Sequence, residues 1–148
     1  MAPRGVRLLV LGLAAGLSCA APAVAEESPP ALDCARTFEE LKEAVTTFPG
    51  AMKASQEHWD LVQIKSAEGG EQSWWIAMYV MTQPLHYAYP MITRKLIWKD
   101  PSGKVMSERS ACGYGEKAKF DKVMSEFAAL DKAMTEDIEK QHPKEPGE

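Results

Sequence analysis

The chain has 148 residues, 45% apolar and 26% charged, with a formal net charge of −4. That length supports one domain with a modest core, and the acidic balance argues against nucleic acid or an anionic membrane surface as a general partner. No glycine-rich phosphate loop, Gly-x-Ser-x-Gly elbow, His-Glu-x-x-His or Cys-x-x-Cys pair occurs, so no cofactor or reaction class is written into a motif.

Arg4 and Arg7 precede an apolar run over residues 8–17, and Ala23-Val24-Ala25 places small residues where a signal peptidase cuts. Residues 1–25 therefore read as a secretory signal peptide, and the protein is expected to be exported and periplasmic. The apolar run is shorter than the roughly 20 residues a transmembrane helix needs, and no later segment approaches that length. A lipoprotein anchored through Cys19 is the alternative. It is weakened because Gly16 stands where the lipid-attachment signal has leucine, with Leu17 one place late.

Residues 26–33 read as a disordered, proline-bearing linker, 34–141 as a single α+β domain and 142–148 as a disordered tail. The mature chain keeps two cysteines, Cys34 and Cys112. In an oxidising compartment they are expected to bond to each other, since a redox or metal pair would want closer spacing.

Thr37-Phe38-Glu39-Glu40 has the form of a capping box, and Phe38, Leu41, Val45 and Phe48 then recur at helical spacing. Pro49-Gly50 should end or kink this helix, with Met52 continuing its stripe for one further turn. A first strand follows over 59–65, with a hairpin turn at Glu68-Gly69-Gly70. Residues 73–82 are apolar at both parities and read as a strand buried on both faces. After an aromatic loop over 84–90, where Tyr89-Pro90 suits a cis bond, residues 91–99 alternate as a half-exposed strand. Asp100-Pro101-Ser102-Gly103 fits a type I turn into a fourth strand over 104–111. Phe120, Val123, Phe127, Leu130, Met134 and Ile138 mark a long amphipathic C-terminal helix. The expected architecture is a helix, a four-stranded antiparallel meander and a helix, in two layers.

With the central strand apolar on both sides, one parity must meet the helices. The other carries Trp75, Ala77, Tyr79 and Met81, or else Trp74, Ile76, Met78 and Val80, beside lysines of the neighbouring strands. An aromatic face bordered by lysines can be sealed by their aliphatic stems, or it can receive an amphipathic partner. On the second view the binding residues are Trp75, Tyr79, Lys95 and Lys99, with His86, Tyr87 and Tyr89 at the rim. The expected function is a small exported binding or accessory protein that engages a protein or amphipathic envelope ligand. Both parities can instead be buried, by a helix on each face or by a homodimer through the sheet, which would make the aromatic stretch core or assembly interface. Two different classes stand beside it. Met81, His86 and Met91 could offer soft ligands for Cu(I), although Met78 and Met81 point to opposite faces of one strand. His58 or His86 could serve as the base of a small hydrolase, given a carboxylate partner.

Overall fold

The computed structural model describes residues 28–66 and 74–141. The expected signal peptide, the 68–70 turn and the 142–148 tail lie outside the described residues. The order is α1 (Phe38–Thr46), β1 (Met52–Gln56), β2 (Trp59–Lys65), β3 (Trp75–Thr82), β4 (Met91–Lys99), β5 (Val105–Gly113) and α2 (Lys117–Gln141). The strands form one antiparallel meander in the order β1-β2-β3-β4-β5.

The α+β class holds, but the sheet has five strands. Met52 does not continue the first helix. Gly50 takes φ +80, a left-handed conformation that glycine adopts without strain, and the chain turns there into β1. This strand pairs fully with β2, from Met52 opposite Gln63 to Gln56 opposite Trp59. Glu57 and His58 close the hairpin, with Glu57 at φ 49. A side chain is disfavoured at such a position, so Glu57→Gly should raise stability by roughly 0.5 kcal/mol, strain relief being partly offset by backbone entropy. A lower urea midpoint in the variant would contradict this.

The second correction concerns layers. The two helices take opposite faces of the sheet, which is therefore sandwiched between them. Register shows why: Tyr79 pairs with Val62 and Arg94, placing Val62, Ile64, Ala77, Tyr79, Met81, Ile92 and Cys112 on one face. There Phe38, Leu41 and Val45 of α1 complete the main core. The opposite face carries Leu61, Met78, Val80, Met91, Lys95 and Arg109, and Val123 of α2 is buried with Met91. A strand apolar at both parities has two faces to cover, and two helices on one side would leave the other bare.

Local signals closed as the residue types require. Thr37 Oγ1 accepts from Glu40 N–H while the Glu40 carboxylate accepts from Thr37 N–H. Gly103 N–H donates to Asp100 C=O at 2.9 Å, closing the 100–103 turn. Cys34 and Cys112 are bonded across a sequence separation of 78, and Tyr114 Oη donates to Arg36 C=O at 2.7 Å beside them. Both helices thus start at the same end of the sheet. Gly113 faces the Phe120 ring so closely that a Cβ there would overlap it, which lets the first turn of α2 sit directly on the end of β5. No helix among the described residues is long and apolar enough to cross a membrane.

Candidate functional site

The seven residues expected to form one binding surface are distributed over four places. Tyr79 is fully buried on the α1 face. Its hydroxyl donates to Pro30 C=O at 2.6 Å, and Arg94 Nη1 donates to the same oxygen at 3.3 Å. Residues 28–33 are thereby laid against the sheet, with Leu32 packed on the core. Burial pushes the Tyr79 hydroxyl up to about 12, against the opposing pull of Arg94, so it stays a donor. Trp75 shares this face and, with Trp74, Trp98, Arg94 and Lys99, lines a hollow of about 470 Å³ at the far end of the sheet. Lys95 lies on the opposite face. Trp75 and Tyr79 therefore form no common patch with Lys95, because pairing of Tyr79 with Arg94 sets Lys95 at the other parity.

The 84–90 loop is held by its own aromatics and by α2. Tyr89 meets Phe38 edge-on at 5.5 Å and belongs to the core, and the Tyr89-Pro90 bond is cis. His86 lies between Trp59, at 4.2 Å, and Tyr87, stacked at 4.6 Å. Tyr87 Oη donates to Glu126 at 3.4 Å, and Lys122 sits over its ring.

Ala88 N–H donates to His86 Nδ1 at 3.0 Å, a contact that favours the neutral ring. Burial, and then His58, hold the imidazole below its ordinary value, with Glu126 pulling the other way. The unfolded chain therefore takes up a proton more readily than the folded one. Stability from this group is present above 6.5 and is lost as pH falls below it. Urea titrations on either side of that pH should show a decline that His86→Asn removes. An undiminished decline would place its origin elsewhere.

The other two chemical classes find poor geometry. Met81 is buried on the α1 face and Met91 on the α2 face, so their sulfurs lie on opposite sides of the sheet and cannot converge with His86 on one ion. His58 is exposed in the β1–β2 turn, and the carboxylate nearest in role to a partner for His86, Glu126, bonds Tyr87 instead.

What the sequence did not announce is a trough on the α2 face. Of the six-residue α2 stripe, Phe120, Val123 and Phe127 pack down, but Leu130 and Met134 are 59% and 56% exposed. The cause is a polar anchor. Asp131 receives Arg109 Nε at 2.8 Å, Arg109 Nη2 at 2.9 Å and Lys95 Nζ at 2.7 Å, while the Arg109 guanidinium covers the Phe127 ring at 4.7 Å. Fork-shaped pairing of this kind fixes orientation as well as distance. It holds α2 toward the β4 and β5 side, leaving the β1–β3 side of the same face open.

Two adjoining hollows of about 360 and 260 Å³ result, sharing Leu61, Val80 and Phe127. Met52, Ala54 and Met78 continue the lining toward Lys95 and Arg109, and Gln56, Trp59 and Glu126 close the other end. Met52, on the edge strand, is 51% exposed. Beside the trough Thr93 is fully buried, and its hydroxyl has no hydrogen-bond partner among the described residues.

Comparison with known proteins assigns no family: no protein-family model, curated protein or solved structure matches this chain.

Proposed function

We propose that this is an exported, non-catalytic binding module, and that its working surface is the trough between α2 and β1–β3. The observation that carries the proposal is the uncovered apolar lining. Met52 and Leu130 stand more than half exposed around Leu61, Met78 and Val80, and contiguous apolar surface of this kind marks interaction sites. Met52 at the rim and Met78 on the floor have flexible side chains that adapt to differently shaped guests. The shape supports a protein segment or an amphipathic ligand rather than a compact polar substrate, since the polar groups are confined to the ends. Export is supported by the leader composition and by the Cys34–Cys112 bond, a bond that persists in oxidising compartments.

A neutral solvatochromic dye such as Nile red tests the surface without reference to charge. It should bind with one-to-one stoichiometry and a blue shift, and Met78→Lys should abolish the signal while the thermal midpoint stays near that of the parent. Trp98→Ala, in the hollow on the opposite face, should leave the signal intact. Dye binding indifferent to Met78→Lys, or lost on Trp98→Ala, would move the site elsewhere.

A further inference from the structure

The trough is not chemically uniform along its length, and the asymmetry names an occupant. Resting on the reading of the trough as the binding surface, we propose that its ligand is a single-chain anionic amphiphile, with the acyl chain along β2 and β3 and an anionic head at Lys95 and Arg109. Lys95 pairs directly with Met78, while Val80 pairs with Leu61 two residues further along. The cationic end and the apolar floor are therefore consecutive on one sheet face. From the level of Trp59 to that of Gln63 the floor runs about 13 Å at strand rise, the span of roughly ten methylenes at ordinary carbon–carbon geometry.

The charges at the head end do not cancel. Two cations share one carboxylate, Asp131, which keeps its own charge because the Arg109 hydrogen bonds hold its carboxyl down at about 2. A net positive charge remains, and Lys95 has ammonium hydrogens beyond the one given to Asp131. At the other end Glu126 lines the second hollow and disfavours an anion there. This local pattern is compatible with the acidic whole, because at physiological salt a head group senses charges within about 8 Å. A polyanion or an anionic bilayer would meet the whole surface; a lone head group meets only this end.

Calorimetric titration of the full mature chain with dodecanoate, decanoate, dodecyltrimethylammonium and octyl glucoside, each below its micelle concentration, tests the assignment. Dodecanoate should bind one-to-one, at least tenfold tighter than the trimethylammonium of equal chain length. Shortening the chain should weaken it about fourfold per methylene. Lys95→Met should erase the preference for carboxylate while retaining the dependence on chain length, and Lys95→Arg should restore the preference. Equal binding of cationic, neutral and anionic amphiphiles would overturn the anionic head while leaving the trough as a binding surface. Uptake of none of them would overturn both readings. A concentration-dependent dimer by sedimentation with no amphiphile uptake would assign the trough to a second copy of the chain and overturn this proposal.

Discussion

Replacing Cys34 and Cys112 together by serine should lower the unfolding free energy by about 4.5 kcal/mol, the loop-closure value for a bridge that spans a separation of 78 residues. That is a large share of the roughly 5–15 kcal/mol a domain of this kind possesses. The bridge joins the approach to α1 with the end of β5, so without it the unfolded chain gains freedom over most of the domain. The denaturant slope m should rise together with the fall in midpoint, because the uncrosslinked chain exposes more surface on unfolding. A loss below about 1 kcal/mol would mean that the unfolded state keeps the two ends together without the bond.

The second large effect is expected at Asp131. Asn in its place leaves Lys95 and Arg109, both mostly shielded, without their counter-charge. Removing one partner of a buried pair costs several kcal/mol; with Asp131 itself partly open to solvent, about 2 kcal/mol is expected after screening. The same carboxylate gives an acid signature. Its folded value of about 2 lies below the ordinary 3.8, so its contribution is fully present above 3.8 and is lost as pH falls toward 2. Urea unfolding of the parent should weaken across that window, and Asp131→Asn should remove this part of the slope. Trp59, edge-on to Phe127 at 6.0 Å, gives an independent readout: its emission should shift to the red as α2 loosens. An Asn variant with parental stability and emission would show that α2 is held by Val123 and Phe127 alone.

The legible parts of the fold were those determined by neighbours in sequence. The Thr37–Glu40 box, the 100–103 turn and the period of α2 each depend on a few nearby residues whose chemistry admits one arrangement; the Cys34–Cys112 bond joins residues 78 apart and was legible instead because the sequence holds few cysteines to pair. β1 was not legible because Met52-Lys53-Ala54-Ser55-Gln56 is short and poor in β-branched residues. Its place is set by pairing with β2 and by the left-handed Gly50. The choice of face was hidden for a different reason. Residues 75–82 are apolar at both parities, so periodicity offers no vote, and only register against Arg94 and Lys95 decides. Once it does, Tyr79 becomes core and Lys95 becomes the end of a trough.

The trough itself arises from a departure from amphipathic order that the sequence does contain. Asp131 lies four residues after Phe127, on the side of α2 that faces the sheet, and a carboxylate there calls for a cation opposite. Lys95 and Arg109, paired across β4 and β5, supply it. What could not be read from sequence is that this anchor would hold the helix to one side and leave Leu130 and Met134 uncovered.

The most direct test is a methyl NMR titration of the protein with octyl glucoside below its micelle concentration, a neutral probe that bypasses the question of head-group charge. The methyls of Met52, Leu61, Met78, Val80 and Leu130 should shift together on one saturating curve, with those of Leu41 and Val45 on the buried side of α1 unmoved. Shifts centred on Leu96 and the Trp75–Trp98 hollow, or no saturable shifts at all, would contradict the assignment of the trough as the binding surface.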